Sequence, residues 1–424
     1  MNTETIEKYT LKSKDKPLLH FELHISHEHS GIADTDTESY RILITDRHPE
    51  NAALFPKNLP IDAGDRELLR WINHRKAPKN RQFIEQILHT IDDSPNPLKY
   101  VDVTYGLSLN DAYWITNDRW TKKWKDCNLY DHPFDDRLAQ IAFTGYSTKI
   151  TGAVTSPELT SSGAMKKCWK RRGDEIYLMK GETPFFEDGR TQAVNEFYAA
   201  QIAEAMGLPH IHYDLEEFHY RNGRKEIVCT CNLFTSEKEG YCTAADFFIN
   251  KKVLPPTTEE WDTLLPTSSF QQKLADAYGR KEYADMMIYD AIICNKDRHL
   301  GNFGYMVDND TGEFLRPAPL FDNGFSLLYT AAPRDLSRVE EFLKDPAGKM
   351  GCYLPFDAAA RIFVEKRHMA MTRKLLNFKF EKHPRYNVSD EALHAMEEMI
   401  HLRAARVMEI FRQKQRLQSM EFSR

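Results

Sequence analysis

Two short groups of polar residues near position 300 have the composition of a phosphoryl-transfer site. The first group is Asp297-Arg-His-x-x-Asn302, and the second is Asp322-Asn-Gly324. Transfer of a terminal phosphoryl group requires an acid that orients or deprotonates the acceptor hydroxyl. It also requires hard oxygen ligands that hold Mg²⁺ against a triphosphate. The two groups supply these side chains, and we therefore expect them to meet in space.

Each polar residue of the two groups fits one of these roles. Asp297 would orient the acceptor, and Asn302 lies five positions further on, which is the Asp-to-Asn spacing of the kinase catalytic loop. Asp322 would be the ionised metal ligand beside the amide oxygen of Asn302. We expect Gly324 to permit a sharp turn after Asp322, because glycine tolerates a positive φ. His299 would either orient the loop or contact phosphate.

The flanking sequence predicts the elements that would position these residues. An apolar helix-like run precedes the first group, a strand covers 303–307, Asn309-Asp-Thr-Gly312 forms a turn, and a second strand leads to Asp322. We interpret Arg298 as a residue that holds the loop and Asp290 as its support. Either group alone would usually be a loop ion pair or a turn. Their combination favours one metal–nucleotide site.

These motifs resemble those of HipA-like serine/threonine kinases, and they are also similar to the DRHxxN and DxG elements of phosphoinositide kinases. Additional motifs favour the HipA-like side, and their ordered co-occurrence over roughly residues 55–330 is more specific than one short motif. In chain order they are Leu59-Pro60, Leu69-Arg-Trp71, Arg75-x-x-Pro78-x-Asn80-Arg81, Gly106-Leu-Ser-Leu-Asn-Asp-Ala-Tyr-Trp114, Ser156-Pro-Glu-Leu-Thr160 and Tyr177-Leu-Met-Lys180.

The resemblance implies an α+β, bilobal protein-kinase-like fold of HipA type. A small β-containing N-terminal module would occupy residues 1–100, and a β-rich nucleotide-binding N-lobe would occupy 101–240. A helix-rich C-terminal lobe, with the catalytic and metal-binding loops, would occupy 241–424.

Sequence periodicity predicts elements that agree with this arrangement. A stripe of apolar residues from Leu393 to Phe411 predicts a core-facing helix that Ser389 would cap. The other predicted strands are 17–26, 39–45, 175–180 and 226–234, and the other predicted helices are 64–74, 79–91, 194–206, 244–250, 271–294 and 357–376.

The segment Thr160-Ser-Ser-Gly163 precedes a cluster of basic residues. Its hydroxyls and backbone amides make Ser161, Ser162 and Gly163 candidate polyphosphate contacts. The segment is not a Walker A sequence, and a solvated basic loop explains it equally well. In HipA-like kinases the corresponding loop can be autophosphorylated, so Ser161 or Ser162 is also a candidate regulatory target.

The resemblance implies further nucleotide contacts. In a kinase-like fold, a lysine at a strand end contacts the inner phosphates and an acid on the next helix orients it. Lys180 and Glu196 match these positions, although a surface lysine and a solvated glutamate are the alternatives. The β-rich segment 226–234, which leads into polar residues 235–240, would be the interlobe hinge, and the backbone groups of Cys231, Leu233 and Phe234 would meet the adenine edge.

Composition narrows the function classes. The 424 residues are 41% hydrophobic and 28% charged, which permits a large core. A formal charge of -6 argues against a dominant nucleic-acid role, so we predict no direct nucleic-acid binding. The longest strongly apolar stretch is too short to span a membrane, and the polar start lacks a signal-peptide pattern. Seven scattered cysteines without a CxxC pair favour a reducing, cytoplasmic location.

Together, these observations lead to the hypothesis of an ATP- and Mg²⁺-dependent kinase that phosphorylates a protein Ser/Thr hydroxyl and can autophosphorylate. Asp297, His299 and Lys180 would be catalytic, and Asn302 and Asp322 would hold the metal. Two alternatives stay open: a phosphoinositide or small-molecule kinase, and a catalytically weak nucleotide-binding toxin–antitoxin regulator. HipA-like proteins often work with a DNA-binding antitoxin, so the resemblance also implies an antitoxin or regulatory protein partner.

Overall fold

A computed structural model describes residues 3–30, 35–78, 81–83, 85–86, 96–146, 156–161 and 163–421. The chain divides into two compact units, each built from several segments. The first unit comprises Met1–Met179, Leu233–Cys242 and Met306–Arg316, and the second comprises Lys180–Asn232, Thr243–Tyr305 and Pro317–Arg424.

The described strands and helices alternate along the amino-terminal half, whereas helices dominate the carboxyl-terminal half. The strands are β1 (Thr3–Ser13), β2 (Lys16–Ser30), β3 (Thr35–Arg47), β4 (Tyr113–Asn117), β5 (Lys167–Arg172), β6 (Glu175–Gly181), β7 (Asp214–His219), β8 (Lys225–Asn232), β9 (Glu239–Thr243), β10 (Gly304–Asp308) and β11 (Phe314–Pro317). The helices are α1 (Asp65–His74), α2 (Lys99–Thr104), α3 (Asp136–Thr144), α4 (Gln192–Met206), α5 (Ala244–Asn250), α6 (Trp261–Leu264), α7 (Ser268–Tyr278), α8 (Arg280–Ile293), α9 (Val339–Phe342), α10 (Pro346–Lys349), α11 (Phe356–Phe363), α12 (His368–Arg373) and α13 (Asp390–Glu421).

The first unit begins with an antiparallel sheet in the order β3-β2-β1-β4. Alternate residues along β1 and β2, such as Tyr9, Leu11, Phe21 and Leu23, are buried, as expected for a sheet with one face on a core. The predicted strands 17–26 and 39–45 are confirmed by β2 and β3, which extend further at both ends. The sequence did not predict β1.

Two arginines of the first unit form ion pairs with acids from motifs that are distant in the sequence. Arg75 forms two hydrogen bonds of 2.9 Å with the carboxylate of Asp111. Arg81 binds the carboxylate of Glu158 at 2.7 Å, and both side chains are fully buried. Glu158 also accepts the backbone N–H of Trp169 at 2.6 Å. These motif residues therefore hold the first unit together.

The strands near residue 310 form a second sheet, in the order β11-β10-β9, most of which lies in the first unit. In the turn, the carboxylate of Asp308 accepts the backbone N–H groups of Asp310 and Thr311 at 2.8 Å each. Gly312 follows with a φ of 75°. The predicted strand–turn–strand unit is confirmed, although β11 ends at Pro317, five residues before Asp322.

The second unit contains the β7–β8 hairpin and most of the helices. The prediction of a mixed α+β chain, with antiparallel sheets towards the amino terminus and a helix-rich carboxyl-terminal part, is confirmed. The predicted stripe lies on α13, which Ser389 caps by accepting the backbone N–H of Ala392 at 3.1 Å. None of the described helices combines the length and apolarity that crossing a bilayer requires.

Two predicted helices are interrupted. The predicted helix 271–294 is two helices, α7 and α8, because Gly279 between them has a φ of 111°. The predicted helix 357–376 is divided into α11 and α12, and the ring of His368 accepts the backbone N–H of Glu365 at 2.9 Å at the start of the second helix. Much of the predicted helix 79–91 lies outside the described residues.

We predict that Arg81→Met lowers the free energy of unfolding by about 3–5 kcal/mol, because it leaves the Glu158 carboxylate buried without its cation. Urea unfolding measures this loss. The control is Arg137→Met, since the Arg137 side chain is 48% exposed in its ion pair with Asp135 and should lose less than about 1 kcal/mol. Equal losses in the two variants would contradict the prediction.

Candidate active site

The second unit brings Lys180, Glu196 and Asp322 together. Lys180, near the end of β6, is 7% exposed, and its Nζ donates to Glu196 Oε1 at 3.1 Å and to Asp322 Oδ1 at 2.6 Å. Burial acts to lower the pKa of Lys180, but the charges of Asp322 and Glu196 outweigh it and raise that pKa well above its ordinary value. A charged ammonium therefore lies between two carboxylates.

The first turns of α4 hold the Asp322-Asn-Gly segment. Glu196 Oε2 accepts the backbone N–H of Asn323 at 2.8 Å, so that one carboxylate binds both Lys180 and this segment. The preceding residue of the helix forms a second bond: the side-chain amide of Asn195 donates to the backbone carbonyl of Ser326 at 2.8 Å. The position of the segment relative to Lys180 is thus set by α4.

Gly324 is needed for a close approach. A Cβ atom at this position would lie 2.3 Å from the backbone oxygen of Gln192 in α4. The positive φ, 56°, belongs to Asp322 itself, and aspartate is among the residues that adopt the left-handed region most readily. The prediction that Gly324 supplies a positive φ is therefore wrong. The turn begins two residues earlier, at Asp322, and the glycine is required by the contact with the helix.

The loop after α8 is organised by two side-chain amides. The helix ends at Ile293, and the next residue, Cys294, is in the left-handed region with a φ of 55°. Asn295 donates to Asp290 Oδ1 at 3.0 Å and accepts the backbone N–H of Asp297 at 3.0 Å. The amide nitrogen of Asn302 then donates to the backbone oxygen of Asp297 at 2.8 Å. The structure therefore places Asp297 and Asn302 side by side.

Arg298 connects this loop to α8 and to the segment that contains Asp322. The guanidinium is buried and forms two bonds of 3.0 Å with the carboxylate of Asp290. It also donates to the backbone oxygens of Asn302 at 2.9 Å and Phe321 at 2.7 Å, and to the side-chain oxygen of Asn323. Arg298 and Asp290 thus have the supporting roles that we expected from the sequence.

Carboxylates outnumber cations in this cluster. Lys180 faces two acids, Arg298 is paired with Asp290, and Asp297 forms no ion pair with a described lysine or arginine. Burial raises the pKa of Asp297 above its ordinary value. A divalent cation would balance the excess negative charge.

The donor atoms fit Mg²⁺. Asp322 offers a carboxylate, and the amide oxygen of Asn302 is the atom left for a metal because the amide nitrogen binds Asp297. Across the described ranges, no three His, Cys, Asp or Glu side chains form a metal-binding group. Mg²⁺ is usually held by one or two carboxylates, and it takes its remaining ligands from substrate phosphates and water.

The contacts of His299 do not assign it a role in the site. The side chain is exposed, and its Nδ1 accepts the backbone N–H of Gly301 at 3.0 Å. Its charge acts to lower the pKa of Asp297, against the larger effect of burial. Both predicted roles, orienting the loop and contacting phosphate, remain predictions.

The serine-rich segment belongs to the first unit, and Ser162 lies outside the described residues. The hydroxyl of Ser161 donates to the backbone oxygen of Pro157 at 2.7 Å and accepts the indole N–H of Trp169 at 2.8 Å. Gly163 has a φ of 88°. The phosphate-binding and regulatory roles predicted for this segment remain predictions.

The predicted adenine-binding segment is divided between the units. Cys231 lies on β8 in the second unit, where burial raises the pKa of its thiol to about 12. Leu233 and Phe234 belong to the first unit, and the N–H of Leu233 donates to the backbone oxygen of Ile176 at 2.8 Å. Contact of these three residues with adenine also remains a prediction.

Sequence reasoning missed Gln192 and Asn195, and it assigned Asn323 only to the turn after Asp322. Gln192 lies four positions before Glu196 and shares a face of α4 with it, because residues three and four positions apart are neighbours on a helix. This spacing was a usable signal for a polar helix face. Nothing in the sequence indicates that Asn323 accepts a bond from Arg298, because that bond depends on the folded loop.

No protein-family model matches the chain, and no curated protein is significantly similar to it. Among solved structures, the proinflammatory kinase CtkA of Helicobacter pylori is 16% identical, with a TM-score of 0.43, over 61% of this chain and 94% of that chain. HipA of Shewanella oneidensis, in a toxin–antitoxin complex with HipB and operator DNA, is 12% identical, with a TM-score of 0.46, over 95% of this chain and 99% of that chain.

We predict that Gly324→Ala lowers the free energy of unfolding by about 3 kcal/mol or more, because the new methyl group collides with the backbone of α4. Chemical denaturation measures the loss. Gly207→Ala is the control, since Gly207 has a φ of 75° but a Cβ atom there would have no neighbouring atom within 4 Å, and it should lose only about 1 kcal/mol. If the two variants were equally stable, the close approach would be disproved.

Proposed function

We propose that the chain is an ATP- and Mg²⁺-dependent kinase that transfers a phosphoryl group to a serine or threonine hydroxyl of a protein. The observation that supports this most strongly is the contact of Lys180 with both Glu196 and Asp322. The same unit also holds Asp297 beside Asn302. A phosphate-binding cation, two acids and an amide oxygen are the groups that phosphoryl transfer uses.

Lys180 would bind the inner phosphates of ATP. Its ammonium is kept charged by Asp322 and Glu196, and Glu196 is itself fixed by the backbone of Asn323. A bound polyphosphate would therefore meet a cation whose direction is already set, so that little ordering is needed at the moment of binding.

Asp297 would orient the acceptor hydroxyl and accept its proton. Because burial raises the pKa of Asp297, this carboxylate is a better proton acceptor than an exposed aspartate. Asn302 and Asp322 would hold Mg²⁺, which when bound neutralises charge on the phosphates. Asn302 would additionally fix the direction of Asp297 through its amide nitrogen.

The proposal extends to location and partners on the motif resemblance alone. We place the protein in the cytoplasm and expect an antitoxin or regulatory protein as a partner.

The acceptor class distinguishes this proposal from the alternatives. A lipid or small-molecule kinase would label a phosphoinositide or a small alcohol, and a regulator of low activity would bind ATP without transfer.

We predict that Asp297→Asn and Asp322→Asn each reduce phosphoryl transfer by about 10²–10⁴-fold, because the first removes the proton acceptor and the second a metal ligand. Transfer from labelled ATP to protein, phosphoinositide and small alcohol acceptors provides the measurement. Asp262→Asn, on an exposed position of α6, is the control and should keep the original rate. Unchanged transfer in both site variants would rule out the assigned roles.

Binding can be tested separately from transfer. We predict that Lys180→Met, combined with Glu196→Gln so that no buried charge is left alone, weakens ATP binding by about tenfold or more with or without Mg²⁺. Asp322→Asn should remove only the part of the affinity that depends on Mg²⁺. Isothermal titration calorimetry measures both effects, with Lys344→Met as an exposed lysine control. Identical Mg²⁺ dependence in Asp322→Asn and the unmodified protein would refute the metal assignment.

A further inference from the structure

Lys296 lies immediately before Asp297 and has no anionic partner among the residues that the structure describes. Its Nζ donates to Thr330 Oγ1 at 2.6 Å and lies 5.8 Å from the ring centre of Phe342. It forms no ion pair with any carboxylate in the described part of the chain. Burial also lowers the pKa of Lys296. Burying a charge is unfavourable unless the charge is paired. An anion next to the half-buried ammonium of Lys296 would therefore be stabilising, because its present side-chain partner is a neutral hydroxyl.

Thr330 is exposed, but its neighbours are fixed. The buried guanidinium of Arg190 donates to the backbone oxygens of Leu328 and of Ala331, the latter at 2.9 Å. On the other side, the N–H of Leu327 donates to the backbone oxygen of Ile293 at 3.0 Å. Thr330 is therefore an exposed residue whose hydroxyl is held against Lys296.

The backbone before Thr330 is unusual. Leu327 and Leu328 have φ values of 51° and 61°. Consecutive left-handed leucines are disfavoured, and such conformations persist only where surrounding contacts enforce them. The hydrogen bonds from Arg190 and to Ile293 provide that enforcement. The segment thus presents Thr330 in one defined position.

We propose that Thr330 is a phosphorylation site of this protein and that Lys296 binds the resulting phosphate. The γ-phosphorus of ATP would form a bond to Thr330 Oγ1 as its bond to the β,γ-bridging oxygen breaks. The hydroxyl proton would pass to a base, and ADP would leave. A group with a charge of about −1.5 to −2 would then replace the neutral hydroxyl beside Lys296.

The proposal gives the modification a route to the active site. A phosphate on Thr330 would form charge-assisted hydrogen bonds with Lys296, which are stronger than the bond to the present hydroxyl. Because Lys296 is joined to Asp297 by one peptide bond, the new pair would restrain the residue that orients the acceptor. Naming the protein itself as the source of the phosphoryl transfer rests on the function proposed above.

The first experiment maps the phosphate. The full chain is incubated with ATP and Mg²⁺, and its phosphopeptides are identified by mass spectrometry, with Asp297→Asn as the inactive control. Phosphate on Thr330 in the active protein alone supports the proposal. Transfer to other acceptors with Thr330 unmodified overturns the proposal and leaves the kinase function intact. Absence of all transfer rejects the kinase function and self-phosphorylation together.

The second experiment tests the phosphate-binding role of Lys296 without relying on activity. Thr330→Glu should raise the melting temperature by about 1–2 °C, because it gives Lys296 an anionic partner. The gain should disappear in a Lys296→Met background. Thr263→Glu is the control, since Thr263 is exposed and its hydroxyl donates to a backbone oxygen. Equal effects of Thr330→Glu in both backgrounds would overturn the assignment of Lys296.

Discussion

The candidate site depends on one buried guanidinium. Arg298 can remain charged away from water only because its donors meet the carboxylate of Asp290, two backbone oxygens and the amide oxygen of Asn323. Removal of one partner would leave a buried charge uncompensated, which is more damaging than the loss of an exposed pair. This requirement fixes the end of α8 and the Asp322 segment relative to each other. The two acids next to these anchors are therefore positioned by a residue that performs no chemistry.

Helix α4 also fixes the position of the Asp322 segment, through Glu196 and the contact with Gly324. Glu196 accepts bonds from the side chain of Lys180 and from the backbone of Asn323, while Gly324 permits the chain to approach α4 closely. Neither a shorter acid nor a larger residue than glycine would satisfy these contacts. Lys180 and Asp322 therefore share one rigid support, which is the preorganisation that the proposed phosphoryl transfer would need.

Local patterns predicted most of the elements and the main polar groups. The Asp-to-Asn spacing of the loop, the lysine at the end of β6 and the acid on α4 are all visible in the linear sequence, because each depends on residues that are close along one element. The break at Gly279 and the contact of Gly324 were not predicted. A glycine in a helical pattern does not reveal its φ, and a close approach depends on a helix more than a hundred residues away.

The orientation of the Asn302 amide has a consequence for substitution at this position. Its nitrogen donates to the backbone oxygen and to the carboxylate of Asp297, which leaves only its oxygen for a cation. An aspartate would be the stronger magnesium ligand by charge, yet it has no hydrogen to donate when ionised. It would set two anions against each other across the loop. The side chain at this position must donate hydrogen bonds through one atom and offer an oxygen to a cation through another. Asparagine can do both, and an ionised aspartate cannot.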